Sequence, residues 1–136
     1  MNNIEQTLSI IKPDAVERNL VDDIKSIFIK NNLEILNNKK IHISKEEAAE
    51  FYKVHQSKPF YNDLCAYLSS GPIVVMILEG ENAVLLNRKL MGATNPNDAE
   101  EKTIRKLYGI SIDKNSVHGS DSVDNAIKEI KFFFKN

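Results

Sequence analysis

The spacing of apolar residues in the first third of the chain predicts a strand, a helix and a second strand. Residues 7–11 form a short apolar segment, and Lys12-Pro13-Asp14 ends it with a predicted turn because proline stops regular pairing. From Leu20 the apolar residues recur at helical spacing, and Asn31-Asn32 closes this predicted helix. Residues 33–43 carry apolar side chains on odd positions at both ends, which indicates a half-buried strand.

The middle of the chain predicts two helices and a buried strand. Ser44 opens a helix-start sequence with Glu47 three residues later, and the helix should continue through Tyr52. Pro59 can begin another helix, since proline fits the first helical position. Residues 73–78 are apolar at every position, which is typical of a central strand that is covered on both faces.

The last third of the chain predicts a helix, a long irregular segment, a short strand and a final helix. Asn82 can cap the first of these helices and Gly92 can end it. Residues 92–115 contain only a short helical stretch at 103–107, and so long a segment inside a small domain is usually functional. Residues 116–118 resemble a short strand. The apolar stripe of the final helix is formed by Val123, Ala126, Ile127, Ile130 and Phe134.

The order of these elements predicts the fold class. Two split strand–helix–strand units fit a four-stranded antiparallel sheet with helices packed on one side, an α+β sandwich of ferredoxin-like type. Residues 1–136 are expected to form a single domain, because two independent cores would each be very small.

Composition narrows the class of protein. The chain is 42% apolar and 27% charged, with a formal net charge of -1, so nucleic acid is not expected as its main ligand. Cys65 is the only cysteine, which favours a reducing compartment. Residues 1–5 show no start of a signal peptide, and the apolar run at 73–78 is far too short to cross a bilayer. We therefore expect a cytoplasmic protein without a membrane partner.

The candidate chemistry centres on histidine and arginine. The chain lacks both common glycine-rich phosphate loops, so any nucleotide phosphates must be held by separate cationic side chains and hydroxyls. Fifteen of the eighteen basic residues are lysine, and only Arg18, Arg88 and Arg105 are arginine. Their rarity makes each arginine informative, because lysine substitutes poorly where two oxygens of a phosphate are bound together.

Of the three histidines, His118 has the setting best suited to catalysis. His42 lies in a predicted half-buried strand and His55 lies in a lysine-bearing segment. His118 instead lies where a strand edge meets a helix start, beside Gly119 and small hydroxyl residues. A largely neutral imidazole is available as a nucleophile near pH 7, and its second ring nitrogen then needs an acceptor. From these residues alone, a turn histidine that bonds only to its neighbours remains an alternative.

The segment around His118 also resembles a family signature. It reads Asn115-Ser116-Val117-His118-Gly119-Ser120-Asp121-Ser122 and is similar at every specified position to the active-site motif of nucleoside diphosphate kinases, Asn-x-x-His-Gly-Ser-Asp-Ser. Three further segments resemble the family in the same order. They are Ile11-Lys12-Pro13-Asp14-Ala15-Val16, Ser69-Ser70-Gly71-Pro72 and Met91-Gly92-Ala93-Thr94-Asn95-Pro96. The similarity extends over about residues 7–134.

The resemblance implies a role for each matching residue. His118 would accept the phosphate, Glu129 would be its carboxylate partner, and Ser120 would support the histidine. Phe60 would stack on the nucleotide base, and Asn115 would bind the ribose hydroxyls. The residues implied as phosphate ligands are Lys12, Tyr52, Arg88, Thr94 and Arg105. Without the resemblance, Glu129 and the arginines would be interpreted as solvated helix residues, and Phe60 as a core or staple residue. Arg18 is interpreted as structural.

The resemblance also implies the reaction and its partners. A γ-phosphate would pass from a nucleoside triphosphate to a nucleoside diphosphate by a ping-pong reaction, with Mg²⁺ held through the nucleotide phosphates and no protein ligand to the metal. A homo-oligomer, either a tetramer or a hexamer, is expected. Two other classes remain as alternatives: a nucleotide-binding regulator without turnover, and a nucleic-acid-binding module.

This sequence departs from the family pattern at three places. Glu101-Lys102 stands where many relatives have Pro-Gly, and Asp113-Lys114 stands where Gly-Arg is frequent. Asp22 replaces a frequent glycine in the first long helix. The first two departures lie in the long irregular segment, which contributes to subunit contacts in relatives. They leave the predicted catalytic residues intact and leave the type of oligomer open.

Overall fold

The computed structural model describes residues 3–111 and 114–134, so Met1, Asn2 and Asp113 of the sequence interpretation lie outside the described residues. The strands are β1 (Ile4–Ile11), β2 (Glu34–Ile41), β3 (Ile73–Glu81) and β4 (Val117–Gly119). The helices are α1 (Pro13–Glu17), α2 (Val21–Lys30), α3 (Lys45–Phe51), α4 (Tyr61–Leu68), α5 (Ala83–Met91), α6 (Ile104–Tyr108) and α7 (Val123–Phe133).

The four strands form one antiparallel sheet in the order β2-β3-β1-β4. The two central strands, β1 and β3, pair from Ile4 opposite Glu81 to Ile11 opposite Val74. On the other side of β1, the short strand β4 places His118 opposite Ile10. The sheet therefore holds the candidate catalytic histidine against the buried end of a central strand, where Ile10 is fully buried. Among the residues that the structure describes, no helix is long and apolar enough to cross a membrane.

Both faces of the sheet are covered, which corrects the prediction of helices on one side only. One core contains Val74, Met76 and Leu78 of β3 and packs against α2 and α5. The opposite core contains Ile73 and Val75 and packs against α3, α4 and α7. Successive residues of a strand point to opposite faces, so the continuous apolar run of β3 requires apolar neighbours above and below it. The α+β class with its four-stranded antiparallel sheet is confirmed.

Several local predictions hold at residue level. Ser44 and Glu47 form a capping box in which each side chain accepts from the other residue's backbone N–H. Gly92 ends α5 in a left-handed conformation with φ of 86°. The short helix in the long irregular segment and the last short strand are both present.

Other local predictions are wrong in detail. The segment after β1 is the helix α1 rather than a turn, because Pro13 at the first helical position starts the helix. Pro59 does not begin α4, which starts at Tyr61 after Phe60. Asn82 precedes α5 with a left-handed backbone (φ 50°), and its side chain makes no capping bond. In α7, Ala126 is buried as predicted, but Val123 and Ile127 are about half exposed, and Phe133 is buried although the predicted stripe did not include it.

Candidate active site

The imidazole of His118 is paired with the carboxylate of Glu129. His118 lies on β4 and Glu129 on α7, and Nε2 is 3.1 Å from Oε1. Both side chains retain 21% of their exposure, so the pair is shielded but open to a ligand. A carboxylate facing Nε2 favours the tautomer with hydrogen on Nε2, which leaves the lone pair on Nδ1. Nδ1 is therefore the ring nitrogen suited to nucleophilic attack.

Ser120 acts on this pair through Glu129. Its hydroxyl donates to Oε1 of Glu129 at 2.7 Å, and it accepts a hydrogen bond from the backbone N–H of Leu8 at 3.3 Å. Ser120 is fully buried, so this chain of contacts connects the carboxylate to the central strand β1. The contact supports the histidine indirectly, by fixing the oxygen that His118 uses.

Phe51 confines the imidazole from another side. Its ring meets the His118 ring edge-on, with centroids 5.2 Å apart and planes inclined by 77°. Sequence reasoning missed this residue, although its position immediately before Tyr52 in the predicted helix placed it beside a predicted ligand. An aromatic edge against an imidazole limits ring rotation through packing alone.

Gly119 allows β4 to pack closely against α5. A Cβ at this position would lie 2.4 Å from Nδ2 of Asn87 and 2.9 Å from Met91 on α5. The missing side chain therefore makes room for α5 to pack on β4. This packing brings the segment with Arg88 close to the strand that carries His118.

Lys12, Asn115 and Thr94 meet on the side of the site that follows β1. The ammonium of Lys12 donates to Oδ1 of Asn115 at 2.9 Å, and Nδ2 of Asn115 donates to the carbonyl of Thr94 at 3.0 Å. Lys12 and Asn115 are buried, whereas Thr94 is exposed. The structure thus joins three of the predicted ligands through direct contacts.

Arg105 is a buried cation that spans two loops. Nη1 donates to the carbonyl of Gly92 at 3.0 Å and Nη2 donates to that of Val117 at 2.9 Å. Its Nε is buried and makes no hydrogen bond to the residues described. Burial and, to a smaller extent, repulsion from the positive charge of Arg88 lower the pKa of Arg105 to about 10. An anion bound here would relieve this repulsion.

Tyr52 and Asp121 lie within the field of the same groups. Burial raises the pKa of the Tyr52 hydroxyl. The negative charge of Glu129 raises this pKa further, and the positive charge of Arg105 offsets part of the rise. Tyr52 therefore remains a neutral donor. A hydrogen bond from Asn125 lowers the pKa of Asp121, and Arg88 lowers it further. Sequence reasoning assigned no role to Asp121, although it belongs to the motif that contains His118.

A cleft of about 390 Å³ opens over the histidine, a size in the usual range for small-molecule sites. Its lining includes Val54, His55, His118, Asp121 and Glu129. Burial lowers the pKa of His55, and Lys58 lowers it further, which favours the neutral ring.

Phe60 and His42 do not line this cleft. Phe60 lies at the start of α4 with 43% of its surface exposed. His42 is exposed and contacts the carbonyl of Ser69. The structure brings together His118 with Glu129 and Ser120, and Lys12 with Asn115 and Thr94. It leaves Phe60 exposed at the start of its helix.

Comparison with known proteins shows the family of the chain. Residues 5–136 match the sequence model of the family described as nucleoside diphosphate kinase. A protein of that name from Nitratiruptor sp. is 58% identical over 131 residues, covering 96% of each chain. One from Nitrosococcus oceani is 53% identical over 133 residues, covering 98% of this chain and 93% of the relative.

Solved structures show the same fold. The Aquifex aeolicus nucleoside diphosphate kinase superposes with a TM-score of 0.96 at 38% identity, covering 98% of this chain and 96% of that one. The Encephalitozoon cuniculi enzyme superposes with a TM-score of 0.94 at 39% identity, covering 97% and 90%. The fold and site thus define a phosphotransferase of the ferredoxin-like α+β class. The chain belongs to the nucleoside diphosphate kinase family, and its activity is that of the family.

Proposed function

We propose that this chain transfers the γ-phosphate of a nucleoside triphosphate to a nucleoside diphosphate through Nδ1 of His118. The observation that carries the proposal is the His118–Glu129 contact, which leaves Nδ1 as the nucleophilic nitrogen inside a cleft. Nδ1 attacks the γ-phosphorus, the bond to the bridging oxygen breaks, and the diphosphate leaves. The acceptor diphosphate then attacks the phosphohistidine, so the imidazole is regenerated.

Glu129 stabilises the phosphorylated ring. When Nδ1 forms its bond to phosphorus, the ring gains positive charge, and the carboxylate next to Nε2 offsets it. The hydroxyl of Ser120 donates to this carboxylate and is itself held by the backbone N–H of Leu8, so the carboxylate is in place before the reaction starts. No separate base is required, because the neutral imidazole carries no proton on Nδ1 in this tautomer.

The cationic side chains bind the phosphates. We assign Lys12, Arg88 and Arg105 to the charge on the transferring group, with Thr94 and the neutral hydroxyl of Tyr52 as donors. Asn115 takes the ribose hydroxyls. The support is the contact of Lys12 with Asn115, together with the mutual repulsion of Arg88 and Arg105, which a bound phosphate reduces.

Phe60 provides the platform for the base. Its exposed ring offers a face on which any base can stack, which supports indifference to base identity.

Mg²⁺ is proposed to arrive with the nucleotide. Its ligands would be phosphate oxygens and water, because Mg²⁺ usually keeps several waters and binds through substrate phosphates. When bound, Mg²⁺ neutralises charge on the β- and γ-phosphates.

We also propose a cytoplasmic homo-oligomer, either a tetramer or a hexamer. The single cysteine supports the location. The oligomer is supported by the open edge of β2, where Leu36 is 42% exposed, and by Ile29 on α2, which is 62% exposed. Sedimentation equilibrium would measure the mass, and a monomer would contradict this part of the proposal.

One labelling experiment tests the catalytic assignment. The protein is incubated with γ-labelled ATP and Mg²⁺, and the label on the protein should be acid-labile and base-stable. His118→Ala should abolish the label and lower turnover by several orders of magnitude, while ADP still binds. His42→Ala is the matched control, because His42 is exposed outside the cleft, and it should label like the parent. Normal labelling of His118→Ala would refute the assignment; nucleotide binding by the parent without any label would favour the regulator.

A further inference from the structure

A buried carboxylate on α1 connects three parts of the molecule next to the nucleotide ligands. Asp14 is 6% exposed. Its Oδ1 accepts a hydrogen bond from the hydroxyl of Tyr67 on α4, and its Oδ2 accepts from the hydroxyl of Ser116 at 2.9 Å. Arg18 also donates to Oδ2, at 3.1 Å. None of these contacts is used by the reaction steps assigned above.

Ser116 is the unusual member of this cluster. It is fully buried and has a left-handed backbone, with φ of 75°. A residue with a Cβ prefers other conformations, so something must hold Ser116 there. Three contacts do so: its hydroxyl donates to Asp14 and accepts from Nη2 of Arg18 at 3.4 Å, and its carbonyl accepts from the backbone N–H of Lys12 at 2.8 Å.

The conformation of Ser116 determines how Asn115 and Lys12, two side chains assigned to nucleotide binding, lie relative to each other. Asn115 precedes it and points its amide at Lys12 and at the carbonyl of Thr94. Val117 follows it and begins β4, the strand of His118. A change in the backbone at residue 116 would therefore displace Asn115 relative to Lys12.

The Tyr67 contact ties a second part of the site to the same carboxylate. Tyr67 belongs to α4, the helix that Phe60 precedes, and its hydroxyl also accepts from the backbone N–H of Asp14 at 3.0 Å. Burial raises the pKa of Tyr67, and the hydrogen bond to Asp14 raises it further. The hydroxyl therefore stays protonated and continues to donate.

We propose that Asp14 is a positioning residue that holds Ser116 in its left-handed conformation, and thereby sets Asn115 and Lys12 for the nucleotide. The inference rests on the proposed function, because that function assigns Asn115 and Lys12 to the substrate. Asp14 itself touches no substrate. A carboxylate suits this position because all the side-chain groups around it donate, whereas an amide would turn an N–H₂ group toward donors.

The decisive comparison is between two variants of Ser116. Ser116→Ala removes the hydroxyl and keeps the Cβ that disfavours the left-handed backbone. Ser116→Gly removes the hydroxyl and the Cβ together, so the backbone stays in place without Asp14. We expect Ser116→Ala to lower kcat/KM by about 10- to 100-fold, the scale expected when a positioned group is displaced by about 1 Å. Ser116→Gly should stay within about threefold of the parent.

Variants of Asp14 extend the test. Asp14→Asn should lose as much as Ser116→Ala, and Asp14→Asn with Ser116→Gly should recover most of the loss. Glu17→Gln, which makes the same charge change at an exposed position of α1, is the control and should match the parent. Unfolding midpoints confirm that each variant is folded at the assay temperature. The Kd of ADP, measured by calorimetry, gives the same comparison without turnover.

The outcomes separate this proposal from the proposed function. Equal kcat/KM and ADP affinity in Ser116→Ala and Ser116→Gly would overturn the positioning role, whatever the labelling of His118 shows. So would an Asp14→Asn variant within twofold of the parent, or a double variant that recovers nothing. If Asp14→Asn fails to fold, the two Ser116 variants still decide. Labelling of His118→Ala would contradict only the catalytic assignment.

Discussion

At the scale of single residues, the geometry of Arg105 explains why lysine should be a poor substitute. One guanidinium spans the carbonyls of Gly92 and Val117, and its buried Nε–H makes no hydrogen bond to the residues described. An ammonium is a point charge and cannot hold both loops in one plane.

Arg105→Lys should therefore reduce the rate of His118 phosphorylation by about a hundredfold, the lower end of the range for losing a preorganised donor, and weaken ADP binding less. Single-turnover labelling measures the first quantity and calorimetry the second. Lys106→Arg, at the exposed neighbouring position, is the control. If Arg105→Lys labels as fast as the parent, charge alone is sufficient at this position.

Phe60 gives a second prediction at this scale. Phe60→Ala should weaken the binding of all nucleotides by a similar amount, about 1–3 kcal/mol if its stacking resembles that of single-strand platforms. The measurement is the Kd of the four common diphosphates, compared between parent and variant. A loss limited to purines would show that the ring reads the base.

The sequence was enough to select residues within one short motif, but not to predict contacts between distant residues. His118, Ser120 and Asn115 lie in one short motif, so local sequence was enough to select them. The partners of Asp14 lie at positions 18, 67 and 116, and only the folded chain brings them together. Nothing in the spacing of such distant residues indicates contact. Similarly, the role of Gly119 depends on α5, which the sequence could not place against β4.

At the scale of elements, Lys102 occupies a backbone position that suits glycine. Its φ is 70°, and it stands where many relatives carry the glycine of Pro-Gly. A lysine there carries the steric cost of a Cβ near the carbonyl, about 1–2 kcal/mol. The departure noted in the sequence is thus a local strain just ahead of α6, the helix of Arg105.

Lys102→Gly should stabilise the protein by up to about 1 kcal/mol, since the greater backbone freedom of glycine in the unfolded chain offsets part of the relief. Urea unfolding of the parent and variant measures the difference. Lys106→Gly, a lysine inside α6, is the contrasting control and should destabilise by about 1 kcal/mol. A destabilised Lys102→Gly variant would show that the lysine side chain contributes contacts that outweigh the strain.

Helix starts were predictable where a side chain makes the cap. The Ser44 box was visible because both partners are three residues apart. The start of α4 was not, because Phe60 precedes it without any capping side chain. Asn82 was located correctly but caps nothing with its amide, since its left-handed backbone turns the side chain elsewhere.

At the scale of the whole molecule, the buried cations predict that nucleotides stabilise the fold. Arg105 has a lowered pKa because folding removes it from water close to Arg88, which is an unfavourable arrangement without an anion. Under the proposed function the phosphates of ADP bind next to Arg105 and relieve this repulsion, so we expect the folded state to gain free energy on binding.

ADP at 100 times its Kd should add about 2.7 kcal/mol to the free energy of unfolding, which for a chain of this length raises Tm by roughly 5–10 °C. Differential scanning fluorimetry measures the shift. Adenosine at the same concentration is the control, and it should shift Tm much less because it lacks phosphates. Equal shifts for ADP and adenosine would locate the binding energy in the base and sugar instead.

The sequence predicted that the strand at residues 73–78 is covered on both faces, but it did not predict helices on both sides of the sheet. The run at residues 73–78 correctly indicated a strand buried on both faces, while the order of elements suggested helices on one side. Order along the chain does not determine the side on which a helix crosses, whereas apolar residues on both faces of β3 do require cover on each.

The central position of β1 has a consequence for how the enzyme comes into being. This first strand pairs with β3, some seventy residues later, and with β4, which ends at Gly119. During synthesis both edges of β1 are unpaired until β3 and β4 have been made. The edge that pairs with β4 is unpaired until almost the entire chain has been synthesised. Pairings between such distant segments form slowly, and an unpaired apolar edge invites association with other chains. Because His118 lies on β4, a nascent chain that stops before this strand lacks the histidine that the proposed reaction requires.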